Sequence, residues 1–218
     1  MEDNNKREEI LRQAEICFGN RGINQTKLQD IASELRISKK TIYKYFSGKE
    51  ELIKTVYAQK AVTMNREASC LAENDKICFT EKLIMILKLI KTQLYYITPA
   101  VVADLKTNGS EIKSVMNAYI KHAVFERFIG LLEQASKNGD LKESVHIQAT
   151  GLLYRDALMS FLLMHHQVNI PKHIKLNLRP VDILVSTLII IFKGILKTES
   201  IDKFESLLIE NDIIVKTQ

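Results

Sequence analysis

Only eight glycines and three prolines punctuate this 218-residue chain, about 5% of it where average usage gives roughly 12%. β-Sandwiches and barrels reverse direction every few residues and rely on such residues to do so, so neither is expected of this chain. Long helices need few of them. The chain also lacks G-x-G-x-x-G, G-x-x-x-x-G-K-[ST], G-x-S-x-G and H-E-x-x-H, the commonest nucleotide, hydrolase and zinc-protease signatures. An all-α, non-enzymatic protein is therefore expected. A composition of 46% hydrophobic and 26% charged residues is that of an ordinary globular chain, long enough for one or two domains.

The longest stretch without charge, Ala157 to Pro171, is too short and too polar to span a bilayer, and Met1 to Arg7 contains no apolar leader, so a cytoplasmic protein without membrane contact is expected. Cys17, Cys70 and Cys78 make an odd number without C-x-x-C spacing, which argues against a disulfide scaffold or a zinc site. His122, His146, His165, His166 and His173 are scattered, and the adjacent pair faces different sides of a helix end, so neither a metal nor another cofactor is expected.

The net charge of +5 is unevenly placed. Between Leu35 and Lys49 the chain carries Arg36, Lys39, Lys40, Lys44 and Lys49 and no acidic residue, so this window alone equals the surplus of the whole chain. A local excess on an otherwise neutral protein is the footprint of a small nucleic-acid contact, or of a solvated helix face.

That window lies among short helices with explicit start signals. Ile10, Ala14 and Phe18 form an apolar stripe at helical period over about Asn5 to Asn20, which Gly22 ends. Thr26 to Gln29 reads as a capping box opening a second helix that buries Leu28, Ile31, Ala32 and Leu35. After the short connection Arg36-Ile37, Ser38 offers an N-cap for a third helix, Lys39 to Tyr45, and Ser47 to Glu50 is a second capping box leading into a longer helix that runs to about Leu71. Two short helices joined so tightly form a helix-turn-helix, whose second helix can enter a major groove. Lys39, Lys40 and Lys44 are its candidate base or phosphate readers, and Lys49 sits where a helix N-terminus attracts phosphate.

The remainder reads as longer helices: about Thr80 to Tyr96, a short one at Ala100 to Leu105, Glu111 to Lys137, Val145 to Gln167, Val181 to Lys197, and a last one capped by Ser200. The segment from Asp182 to Leu196 is apolar nearly all round and must be covered on several sides. A homodimer interface would place Leu184, Leu188, Ile191, Phe192 and Ile195 against Leu158, Phe161 and Leu162 of the preceding helix; a central helix in a monomeric core is the alternative. Met85, Leu89, Tyr96, Met116, Tyr119, Phe125, Tyr154 and Met159 suit an adaptable apolar pocket, and equally a plain core.

Arg7 to Tyr57 resembles the N-terminal domain of the TetR/AcrR family of bacterial transcriptional regulators. The landmarks are Ile10-Leu11, Ala14, Phe18, Gly22, Thr26, Asp30-Ile31-Ala32, Ile37-Ser38, Thr41-Ile42-Tyr43, Tyr45-Phe46 and Lys49 to Leu52, in order and with the family's spacing. The resemblance implies a three-helix DNA-binding domain over residues 1–49, followed by a larger helical ligand-binding and dimerisation domain over 50–218. It further implies a homodimer that binds double-stranded operator DNA, a small hydrophobic effector, and a repressor's role; the same fold serving mainly as a protein-binding scaffold is the other possibility. Thr26, Lys27, Arg36, Thr41, Tyr43 and Tyr45 join the lysines as implied DNA contacts. Two departures stand out. Arg36 occupies a turn position where the family usually has Gly, and so is expected to adopt a left-handed backbone. Lys27 replaces a common second hydroxyl residue.

Overall fold

The computed structural model describes residues 2–98, 100–101, 103–104, 125–163 and 179–214. Its helices follow in the order α1 (Glu2–Arg21), α2 (Leu28–Glu34), α3 (Lys39–Tyr45), α4 (Lys49–Ala72), α5 (Phe79–Gln93), α6 (Phe125–Lys137), α7 (Ile147–Leu163), α8 (Pro180–Ile195) and α9 (Thr198–Glu210). Among the described residues the only extended pairing is an isolated antiparallel bridge between Leu141 and Leu196. The fold is all-α. Two compact units make it up, one of Met1–Thr63 with Tyr95–Met116 and one of Met64–Leu94 with Asn117–Gln218, so α4 contributes to both.

The core of the first unit is built from the apolar stripe of α1. Ile10, Ala14 and Phe18 are fully buried, together with Ile23, Ile31, Ala32, Ile42 and Leu52. The helix stops where Gly22 turns left-handed at φ 86°, and a side chain there would be strained and would meet an Asp104 oxygen at 3.0 Å.

The start of α2 differs from the expected box between Thr26 and Gln29. The carboxylate of Asp30 accepts the Lys27 N–H at 2.8 Å, a stronger acceptor than an amide and better placed against the positive helix end. Thr26 is fully buried instead, its hydroxyl directed at the carbonyl oxygens of Gly22, 2.7 Å away, and Cys17, 3.1 Å away. The box expected between Ser47 and Glu50 also shifts by one residue. Because α4 begins at Lys49, its third residue is Glu51, which accepts the Ser47 backbone N–H at 2.6 Å and its hydroxyl at 2.7 Å.

In the second unit α8 packs on α5 and α7, α6 on α7, and α9 on α5. Phe128 of α6 stacks on Tyr154 of α7 with centroids 4.0 Å apart, and Phe192 of α8 joins them at 5.8 Å from Phe128. Leu158, Phe161, Leu184, Leu188, Phe192 and Ile195, expected at a dimer interface, are buried within the single chain, where they contribute to its own core. Ile191 is half-buried, and Leu162 lies in α7 with its side chain outside the described residues. The apolar side chains that do face outward on these two helices are Ile190, 72% exposed, Leu153, 59%, and Leu152, 41%. Ser200, expected as a cap, lies inside α9, which starts two residues earlier. Among the described residues no helix is long and apolar enough to cross a membrane.

Candidate nucleic-acid interface

The turn between α2 and α3 closes with two backbone bonds, Arg36 N–H to Ser33 O at 3.1 Å and Ile37 N–H to Ala32 O at 2.9 Å, which satisfy the last carbonyls of α2. This pattern requires a left-handed residue between them, and Arg36 supplies it at φ 54°. Ser38 then caps α3, its hydroxyl oxygen accepting the Thr41 N–H at 3.1 Å. Buried Ile42 and Phe46 anchor the underside of the helix, which fixes the opposite face outward.

On that outward face Lys39, Lys40 and Lys44 are exposed, and Tyr43 is 49% exposed with the Lys39 ammonium 5.6 Å from its ring centre. Among the described residues no carboxylate pairs with Lys39, Lys40 or Lys44. The acids of α2 are already engaged, since Arg21 lies 3.1 Å from Glu34 and 3.7 Å from Asp30, and Asp30 also caps its own helix. The three ammonium groups therefore face solvent with their charge uncompensated at short range. Lys27 and Arg36 are exposed as well.

The other expected contacts are placed differently. Thr26 points inward, as described above. The Thr41 hydroxyl lies 2.9 Å from that of Ser38, within the cap, and Tyr45 is half-buried. Lys49 donates to the Asn24 carbonyl at 3.2 Å. Partial burial lowers its pKa below the usual lysine value, opposed by the nearby charges of Asp104 and Asp30. Asp104 also accepts both the Asn24 backbone N–H, at 2.9 Å, and its side-chain amide, at 2.7 Å. No short-range signal announces that bracket, because eighty residues separate its two ends.

The described apolar residues expected at an effector site are divided between the two units. Tyr96 belongs to the first unit, where its Cβ would lie 2.7 Å from any Cβ added at Gly19. In the second unit Tyr154 is buried in the aromatic stack, Leu89, Phe125 and Met159 are half-buried, and Met85 is 42% exposed. Met116 and Tyr119 lie outside the described residues. A cleft of about 410 Å³ in the second unit has a mixed lining, with Asp75, Lys82, Gln134 and Asn138 beside Ile77, Phe79 and Leu131, and includes none of the expected residues.

A capped two-helix reader with an uncompensated cationic face defines a helix-turn-helix protein. Its N-terminal domain is of the TetR type: residues 10–56 match the model for bacterial regulatory proteins of the tetR family. Solved structures extend the likeness of fold over nearly the whole chain. A transcriptional regulator from Cytophaga hutchinsonii is 15% identical, with 88% of this chain and 99% of that one covered and a TM-score of 0.64. A TetR-family regulator from Agrobacterium tumefaciens is 13% identical, covering 89% of this chain and 100% of its own, with a TM-score of 0.64. The regulator FadR from Bacillus subtilis, solved with stearoyl-CoA, is 18% identical over 85% of this chain and 97% of its own, with a TM-score of 0.56. No match was found among the curated proteins.

Proposed function

We propose that the chain is a homodimeric, ligand-responsive repressor of transcription, working in the cytoplasm and released from a pseudo-palindromic operator by a small, largely apolar effector. The observation that carries this reading is the face of α3, where Lys39, Lys40, Tyr43 and Lys44 point outward with no carboxylate among the described residues against the three lysines. Lysines there can donate to guanine acceptors or phosphate, and Tyr43 to phosphate. Lys27 and Arg36 add phosphate contacts beside it. In a two-fold dimer the two copies of α3 read half-sites roughly 34–36 Å apart. Ile190 with Leu152 and Leu153 is the outward apolar surface available to the dimer, in place of the residues buried in the core.

An effector works only through its differential affinity for the conformers that match and mismatch this spacing. We place its site among the helices of residues 50–218, with residues 1–49 as the reader. The B. subtilis regulator solved with stearoyl-CoA supports an effector with a long apolar part.

Lys44→Glu tests the reading directly. It replaces a contact by a repulsion in both subunits, and at about 1–3 kcal/mol for each lost contact the operator affinity falls by at least about thirtyfold. Helical content and dimerisation stay unchanged. Operator affinity that survives the substitution at moderate salt excludes α3 as the reader, and a protein that leaves no footprint on the DNA beside its own gene points to the scaffold reading.

A further inference from the structure

We propose that Arg127 recognises an anionic group on the effector, a carboxylate or a phosphate, so that the effector is an amphiphile with a charged head rather than a purely apolar molecule. The proposal rests on the effector reading above.

Arg127 lies on α6, next to Phe128 of the aromatic stack but on a different face of the helix. Its Nη2 donates to Asn65 Oδ1 of α4 at 2.8 Å. Its Nη1 is buried and, among the described residues, has no hydrogen-bond partner. Arg21, Arg155 and Arg179 in the same protein each reach a carboxylate, at 3.1, 2.7 and 2.7 Å respectively. Arg127 has one neutral amide oxygen.

A guanidinium cannot escape this situation by losing its proton, and a buried donor left unmade is costly. Helix formation does not require it, because leucine, glutamine or lysine would serve an α-helix equally well at that position. The group is instead arranged as half of a receptor. Asn65 holds one nitrogen of the planar fork and sets its orientation, and the other nitrogen is withdrawn from water and unclaimed. Carboxylate and phosphate oxygens match that fork, and a charge-assisted bond to a desolvated guanidinium is the strongest hydrogen bond a side chain offers them. Both residues belong to the second unit, within the residues 50–218 where the effector is placed above.

The test uses the full-length protein, its Arg127→Gln variant, which keeps a donor toward Asn65 without the charge, and Arg127→Lys, which keeps the charge without the fork. Binding of dodecanoate, dodecyl phosphate and dodecan-1-ol is measured calorimetrically below their micellar concentrations, and each ligand is then tried for operator release. The wild type is expected to bind at least one of the two anions about tenfold to a hundredfold more tightly than the alcohol, the better anion identifying the head group. Arg127→Gln should lose that preference while retaining its affinity for the alcohol and for operator DNA, and Arg127→Lys should retain part of it. A wild type that prefers neither anion, or a Gln variant that keeps the preference, overturns the assignment. If the alcohol alone releases the operator, the effector reading stands and Arg127 is not its anion reader; if no ligand binds the wild type, the assignment falls, and the K44E experiment decides the regulator reading separately.

Discussion

Arg36 does at φ 54° what Gly22 and Gly139 do at φ 86° and φ 75°. Its turn and the one at Gly139 share a bond pattern, with Asp140 N–H reaching Ala135 O at 2.9 Å in the second case, so the backbone demand is the same and only the side chain differs. A non-glycine residue in that region is strained by about 1 kcal/mol, partly offset by the lower entropy of its unfolded state. Arg36→Gly should therefore raise stability by up to about 1 kcal/mol in urea unfolding, and weaken operator binding through the lost cation.

Glu51 makes a second prediction at this scale. The hydrogen bonds from the Ser47 backbone and hydroxyl hold its pKa below the ordinary 4.5. A depressed carboxylate stabilises the fold fully above about pH 4.5, and that contribution disappears as the pH falls through the lower folded value. Glu81 behaves alike, depressed first by the Cys78 N–H and then by Lys203. Replacing both by Gln should flatten the fall in stability between about pH 5 and pH 3, as followed by circular dichroism; an unchanged slope excludes these caps as its source. Ser38 and the strained Arg36 were legible in the sequence because each acts within three or four residues. Thr26 was misread because its hydroxyl serves carbonyls behind it, Gly22 four residues back and Cys17 nine, and no local pattern distinguishes that from a cap.

At the scale of the helices, periodicity located every described helix, but it could not say what covers an apolar one. α8 demands cover on several sides, and both a partner subunit and the chain's own α5 and α7 satisfy that demand; the structure assigns its most apolar face to the latter. Two substitutions separate these roles. Leu188→Ala removes a fully buried side chain and should cost about 2–5 kcal/mol of stability. Ile190→Glu, at a position 72% exposed, should change the stability of the isolated chain by less than about 0.5 kcal/mol, yet shift sedimentation toward the monomer. A dimer indifferent to the new carboxylate would move the interface away from this face. Lysines also finish several helices of the second unit: Lys82 donates to Ala72 O at 2.8 Å, Lys142 to Gly194 O at 3.1 Å, and Lys91 to Ile213 O at 3.0 Å. Each places a cation on the carbonyl end of a helix or just beyond it, where the backbone dipoles favour positive charge.

Over the whole molecule the surplus of +5 divides by use, and the sequence already located it in one window. On the proposed reading, contacts from Lys27 and Arg36 in two subunits would neutralise four phosphates, so operator affinity should fall with salt at a logarithmic slope of about −4 or steeper, and Lys27→Ala should flatten it by about 2. A salt-independent complex would remove nucleic acid from the account. The effector site was the least legible part, because aromatic and Met residues at helical spacing serve a core and a pocket alike, and Tyr154 proved to be stacked in the core.

The helix-ending lysines have a practical consequence. An amine-acylating reagent distinguishes the ammonium groups of Lys82, Lys91 and Lys142, tethered to carbonyl oxygens, from exposed ones such as those of Lys27, Lys39, Lys40 and Lys44. Brief labelling read by peptide mass should mark the open group first, and bound DNA should shield it, so the protein's own amines serve as the footprinting probe for its operator.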